Sequence, residues 1–315
     1  MNSSFELKMK TYKNLVDDEL NNIYESGPVL LREPINYIVK GGKRLRPSLC
    51  LLVCNAFGKD LKKALIPAVS IELLHMFSLV HDDIMDDDSL RHNKLTIHKK
   101  WNNSVAILVG DAILALAFKR LNNADNSIKE LFNSALIAVC EGQALDIEYE
   151  NIENISNDQY FDMISLKTGH MLGLSAQLGG LLSQLEYDNQ LKLKKYGCLI
   201  GKAFQIQDDI LEVLSDTNIM GKSLESDFFL GKKTLLMIDS KKRFPNRIKE
   251  IFATYKKDRS LAFDLYKELL VNEGTIDKCK TFVENSFIEA NDTINGLVPN
   301  NTLYNFTKMI ADRKY

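Results

Sequence analysis

Two runs of acidic side chains carry the most chemically suggestive pattern in this chain. Between His81 and Arg91 stand five aspartates, Asp82, Asp83, Asp86, Asp87 and Asp88. Leu73, Phe77, Val80 and Ile84 recur at helical spacing through the same stretch, so the acids continue a helix with an apolar face. His75, Ser78, Asp82 and Asp86 fall on a second stripe of that helix. Carboxylates one turn apart oppose helix formation unless something positive sits between them. Alone, such a run reads as a solvated helix end. A second copy changes the reading: Phe204 to Glu212 repeats acid, acid, two apolar, acid in Asp208, Asp209 and Glu212. There Ile206, Ile210 and Val213 form the apolar stripe, while Lys202, Gln205, Asp209 and Glu212 line the polar one. Facing each other, the clusters would raise one another's pKa unless metal ions held them. The pair therefore reads as a metal site. Mg2+ fits it, because that ion takes one or two carboxylates and completes its shell with water and phosphate oxygens.

Cations are spaced to meet an anion nearby. In Gly41-Gly42-Lys43-Arg44-Leu45-Arg46-Pro47, the glycines stop one helix and Pro47 suits the first turn of the next. Three cations at a helix N-terminus make either a solvated junction or an anion site. Gln143 and Asp146 lie one turn apart, either as a buried amide–carboxylate pair or as a polar patch facing a cationic reaction centre. Lys167-Thr168 precedes the second acidic helix. Gly173, Ala176 and Gly180 form a small-residue stripe that admits a neighbouring helix or a ligand. Gly221-Lys222 and Gly231-Lys232-Lys233 flank Asp227 and suggest cations closing over a phosphate, with Lys233 the one most readily left as an exposed loop residue. His98 and His170 read as structural or surface residues, and Trp101 as core.

These residues need long helices to place them. Helical periodicity predicts segments at 4–25, 29–39, 46–57, 63–82, 103–121, 127–149, 157–165, 169–184, 189–214, 232–242, 246–256, 260–271, 274–292 and 300–311. Strand signals are almost absent, with no Asn-Gly or Asp-Gly hairpin turn. No linker divides the pattern, so 1–315 reads as a single all-α domain. Forty basic against 42 acidic residues give a net charge of −2, which argues against a nucleic-acid footprint. Five cysteines without a C-x-x-C pair fit buried thiols in a reducing compartment. The first residues lack a signal-peptide core, and the longest apolar run, Val105 to Phe118, is too short to span a bilayer and contains Asp111. The expectation is a cytoplasmic protein with no transmembrane segment.

Together, in this order, the motifs resemble the trans-prenyl diphosphate synthase (polyprenyl synthetase) family. The resemblance runs from about Gly41 to Thr234. It covers Gly-Gly-Lys-x-x-Arg-Pro, His75, Asp82-Asp83-x-x-Asp86, Gly142-Gln143-x-x-Asp146, Lys167-Thr168, Phe204-Gln205, Asp208-Asp209 and the two Gly-Lys pairs. It implies an isoprenoid synthase fold, an orthogonal bundle of long antiparallel helices around a deep central cavity, and a homodimer. It further implies that Asp82, Asp83 and Asp86, opposite Asp208, Asp209 and Glu212, hold three Mg2+ ions with bound substrate. By the same resemblance Arg91, Lys167, Thr168, Gln205, Lys222 and Lys232 bind the allylic diphosphate. Lys43, Arg46, His75 and His92 would bind isopentenyl diphosphate, with Asp82, Asp83, Asp86, Lys167, Asp208 and Lys222 as the catalytic set. The apolar faces around 103–149 are the expected dimer interface.

Two departures qualify the match. The family's Arg-Arg-Gly is here Arg91-His92-Asn93, and imidazole is shorter than guanidinium and only partly charged near neutrality. Glu212 replaces the usual aspartate, with one more methylene to reach a metal. In the family, residues five and four before the first aspartate floor the tail cavity; here they are Phe77 and Ser78. One aromatic followed by a small residue is the pattern of geranylgeranyl (C20) synthases, with farnesyl or a longer polyprenyl chain as alternatives. A terpene cyclase would replace the second acidic motif and lack the basic one. A non-catalytic regulatory subunit would be free to lose ligands that are all kept here. An EF-hand would place its ligands in a loop with a Gly turn.

Overall fold

The structure, a computed structural model, describes residues 3–214 and 232–312. Lys222 and Asp227 lie outside the described residues. The elements run α1 Ser3–Asn21, α2 Val29–Ile38, α3 Leu45–Ala56, α4 Leu61–Met85, β1 Leu90–Arg91, β2 Lys94–Leu95, α5 Ile97–Lys100, α6 Asn103–Arg120, α7 Asn126–Glu150 and α8 Asn157–Ile164. A π turn, Ser165–Gly169, leads into α9 His170–Leu182, followed by α10 Tyr187–Leu214, α11 Leu235–Arg243, α12 Pro245–Tyr255, α13 Arg259–Asn272, α14 Thr275–Thr293 and α15 Thr302–Ala311.

Local chemistry fixes many of these starts. Asp60, Asn102, Thr234 and Asp258 each accept a backbone N–H in the first turn of α4, α6, α11 and α13, relieving the donors that a helix start leaves unpaired. Ser156 and Gln159 form a reciprocal capping box on α8. Each helix expected from periodicity is present, but α4 runs three residues further than predicted, so Asp83 is also helical and Asp86 caps it.

Two local structures were not expected. Among the described residues the only sheet is the antiparallel β1–β2 ribbon, with Arg91 opposite Lys94. Its turn uses His92 and Asn93, both at positive φ (50° and 61°). That is the backbone of a two-residue hairpin turn, made here without glycine. The second is the π turn joining what had read as two separate helices, 157–165 and 169–184. Such turns are rare and concentrate at functional sites.

The buried apolar residues form one cluster running through α1 to α15. α10 packs chiefly on α9 and α14, and α4 on α6 and α3. A Cβ at Gly173 would meet Cys198 Sγ at 2.6 Å, so the small-residue stripe of α9 serves the approach of α10 and not a ligand. By length and hydropathy α4 could cross a membrane, yet 72% of its most apolar window is buried inside the fold. It is the core helix, and it exceeds the 105–118 run as the longest apolar segment. Cys50, Cys54 and Cys279 are buried as expected, whereas Cys140 is exposed and Cys198 half-buried. Trp101 is half-buried and packs against the core cluster, edge-on to Tyr37 with Lys100 Nζ 4.9 Å from its ring.

Candidate active site

The π turn is the hub of the site. α7 and α10 can both reach it because glycines face it: a Cβ on Gly142 would lie 2.3 Å from the Lys167 nitrogen, and one on Gly201 would lie 2.6 Å from the Gly169 Cα. Adding any side chain at either position would push the turn away. Held there, Lys167 Nζ donates to Asp146 at 2.6 Å, and Asp82 and Asp86 add to its field. Burial opposes the lysine charge, but these acids outweigh it and raise its pKa. From the next position Thr168 donates to Gln205 Oε1 at 2.9 Å. Gln205 then donates to Asp209 Oδ1 at 3.0 Å, and Tyr160 donates to Asp209 Oδ2 at 2.7 Å. One turn of backbone thus connects the two acidic helices.

The members of the α4 cluster are differently placed. Asp83 is 2% exposed and accepts from Arg91 Nε at 2.6 Å; Asp88 stands 3.6 Å from the same guanidinium. Asp86 accepts from Lys232 Nζ at 2.9 Å. Asp82 is pushed from 3.8 up to about 6, first by burial and then by Asp86, against the pull of Lys167, Arg91 and Lys232. On α10, Asp209 is buried, while Asp208 and Glu212 are half-buried one turn apart.

The basic loop turns through Gly41 and Gly42 (φ 101° and 88°). Arg44 does not face a ligand. It is 3% exposed, bonds Asp17 at 2.8 Å and Glu72 at 2.9 Å, and donates to Val39 O. Lys43 is exposed. Arg46 Nη1 donates to His75 Nε2 at 3.0 Å, while its Nε is buried without a hydrogen-bond partner among the described residues. Burial lowers the Arg46 pKa, opposed by Glu72 and by Asp208. Burial likewise holds His75 well below its ordinary value, and Arg46, Arg91, His92 and Arg44 add to the effect. The imidazole is therefore neutral and can accept from Arg46. A pocket with this many cations and a buried unpaired donor favours an anion. Both polar atoms of the Gln143 amide are also buried and unpartnered among the described residues, one turn from Asp146.

Phe77 and Ser78 are half-buried on α4. Phe77 meets His81 edge-on at 4.7 Å, and the Ser78 hydroxyl donates to His75 O at 2.9 Å. Lys233 corrects the sequence reading. It is 8% exposed, and its Nζ donates to Glu150 O at 3.3 Å, where the end of α7 favours a cation. His98 is buried beside Asp87, and His170 bonds Ser165 O at 2.9 Å, both structural. Tyr160 and Glu72 were missed, because no local pattern reports a partner 49 or 28 residues away.

Among the described residues no three acidic, His or Cys side chains form a ready cation cage. The donors still suit a hard divalent ion. Asp82 and Asp86 offer two carboxylates on one helix face, and Mg2+ needs no all-protein cage when phosphate oxygens complete its shell. A divalent ion beside Asp82 would favour its charged form against the burial that raises its pKa.

Two acidic helices linked through a lysine-bearing turn make a helical protein with a site suited to a highly charged anion. The profile of the polyprenyl synthetase family matches residues 28–269. The chain is 38% identical over 234 residues to a geranylgeranyl diphosphate synthase of Saccharolobus solfataricus, covering 71% of this chain and 70% of that one. A geranylgeranyl pyrophosphate synthetase structure from Pyrococcus horikoshii superposes with a TM-score of 0.87 at 32% identity, covering 99% of both chains. A polyprenyl synthase from Caulobacter crescentus, solved with calcium and isoprenyl diphosphate, gives 0.87 at 25% identity over 98% of this chain and 94% of that one. The chain belongs to the polyprenyl synthetase family, and so to the prenyl diphosphate synthases of the all-α isoprenoid fold expected from its motifs.

Proposed function

We propose that the enzyme condenses isopentenyl diphosphate with an allylic diphosphate to give a trans-prenyl diphosphate, with geranylgeranyl diphosphate as the product. The observation that carries this reading is the Lys167–Thr168 turn. It puts a cation between Asp146 and Asp82 and ties the same backbone to Gln205 and Asp209 on the opposite helix. A diphosphate bound there meets Lys167, Lys232 and Arg91 together, with Lys222 by family resemblance. Mg2+ held by Asp82 and Asp86 and by Asp208 and Glu212, three ions with substrate, would neutralise the charge that develops as diphosphate leaves. Calcium in the Caulobacter relative supports divalent binding in this fold.

The second diphosphate falls to Lys43, Arg46 and His75. The buried Arg46 Nε has a donor to offer it, and neutral His75 fixes the guanidinium by accepting from Nη1. Leaving-group departure generates an allylic cation, which the isopentenyl double bond attacks before a proton is lost. Among the described residues no side chain beside the site is a strong dedicated base, and by family resemblance the released diphosphate is the proton acceptor. Gln143 turns its carbonyl dipole toward developing positive charge. Phe77, five residues before Asp82 and so about 7.5 Å along the helix axis, floors the tail channel with Ser78. We read the whole chain as one domain acting as a cytoplasmic homodimer through the faces of α6 and α7, where Ile107, Leu108 and Ile137 are exposed.

The test is isopentenyl diphosphate with each allylic primer and Mg2+, with products dephosphorylated and sized by mass spectrometry. A C20 alcohol is expected from the native chain and longer products from Phe77→Ala. A cyclised hydrocarbon, or no turnover with any primer, would overturn the reaction; an unchanged chain length in Phe77→Ala would overturn the floor.

A further inference from the structure

Relative to the family pattern the chain lacks a guanidinium at position 92, and the structure shows that residue exposed at the hairpin turn with φ 50°. Its neighbour Arg91 pairs with Asp83 and Asp88 and is assigned above to the allylic diphosphate. Directly across the ribbon from Arg91 stands Lys94, and residues paired in this way share a face. The Lys94 ammonium reaches back over the basic loop. Its Nζ donates to Lys40 O at 3.3 Å and would lie 3.9 Å from a Cβ on Gly41, where φ is 101° and only glycine is comfortable. The loop beneath it carries Lys43 and leads into Arg46, whose Nε is buried without a partner among the described residues.

We propose that Lys94 is a diphosphate-binding residue of the isopentenyl diphosphate subsite, supplying from the second hairpin strand a permanent charge where position 92 has an imidazole in place of the family's guanidinium. An ammonium has three donors on a four-carbon stem. One is spent on the Lys40 carbonyl, and two remain for phosphate oxygens above the loop. The glycines at 41 and 42 let backbone, lysine and anion approach each other closely. The inference rests on the assignment of Lys43, Arg46 and His75 to isopentenyl diphosphate.

Initial rates with isopentenyl diphosphate varied at saturating allylic primer test it. Lys94→Met should raise the KM for isopentenyl diphosphate about 5- to 10-fold, the loss of one charge-assisted contact at a solvent-facing site. The KM for the allylic primer and the Tm should stay as in the native protein. Lys94→Arg should keep most of the affinity, and His92→Arg placed in the Lys94→Met background should restore it. An unchanged KM in Lys94→Met overturns the inference. A fall in Tm with both KM values rising also overturns it, since that would make Lys94 a structural hook. Arg46→Met separates the two levels: if it leaves the isopentenyl KM unchanged, the subsite assignment itself fails. If Arg46→Met raises that KM and Lys94→Met does not, only the role of Lys94 falls.

Discussion

The acid clusters of α4 and α10 share one spacing and are wired differently. In each, the second acid is the buried one: Asp83 is 2% exposed and Asp209 5%. Asp83 is held by a cation, Arg91 Nε at 2.6 Å. Among the described residues Asp209 accepts from two neutral donors, Gln205 and Tyr160. The flanking acids, Asp82 with Asp86 and Asp208 with Glu212, are half-buried. The repeated motif thus splits into anchors and working carboxylates. Burial makes an unpaired charge costly, so the second acid of each motif is the one whose partners fix the rotation of its helix. We propose that in this chain Asp83 and Asp209 position their helices and that the metal falls to the flanking acids.

The largest effect should come from a working carboxylate. Asp82→Asn should reduce turnover on the order of 10³-fold while the fold survives. Its stability signature is distinctive. Because the folded pKa is raised to about 6 from 3.8, the folded state favours the protonated acid. The stability Asp82 contributes is fully present below about pH 4 and is lost as pH rises through 6. Metal-free Asp82→Asn should therefore melt above the native protein at pH 7.5, and the gap should close by about pH 4. Equal melting temperatures at both pH values would remove Asp82 from the strained, working class.

Asp83→Asn should act through the fold instead. It takes from the largely buried Arg91 guanidinium its hydrogen-bonded acid and leaves Asp88, 3.6 Å away, and the field of Asp82. Removing one partner of such a pair costs about 3–5 kcal/mol, read as a lower urea midpoint. Turnover should fall less than in Asp82→Asn, on the order of 10- to 100-fold. If Asp83→Asn matched Asp82→Asn in lost activity with no loss of stability, the division into anchors and working acids would be wrong for α4.

How much of this division could be read in the sequence depends on the range of the interactions. Apolar periodicity found both acid helices, because Leu73, Val80, Ile206 and Ile210 repeat every turn and each repeat is local. Which acid of each trio is buried was not legible, since that depends on Arg91 beyond the helix end and on Tyr160 in another helix. The π turn gave no signal either. Its backbone is forced by glycines 25 and 32 residues away from Lys167 and Gly169, at Gly142 and Gly201. The hairpin hid for a simpler reason, as His92 and Asn93 take a conformation usually marked by glycine. Lys233 was misjudged because Gly-Lys-Lys reads as loop, while the partner carbonyl of Glu150 is remote.

The smallest effect tests the other half of the comparison. Tyr160→Phe removes one neutral donor from Asp209 and leaves Gln205 Nε2 at 3.0 Å in place. A hydroxyl lost from a buried hydrogen bond costs about 1–2 kcal/mol, well below the cost expected for Asp83→Asn. The phenyl ring should keep its packing, since Tyr160 is 1% exposed and lies edge-on to Phe161 at 5.7 Å. With one donor gone, Asp209 holds a proton more readily, so its charge is lost at higher pH than before. The acid limb of the turnover profile should move up in pH in Tyr160→Phe, with little change at the plateau. A drop at the plateau as large as that of Asp83→Asn would mean that Asp209 is a working carboxylate and that the two helices are not wired on the same plan.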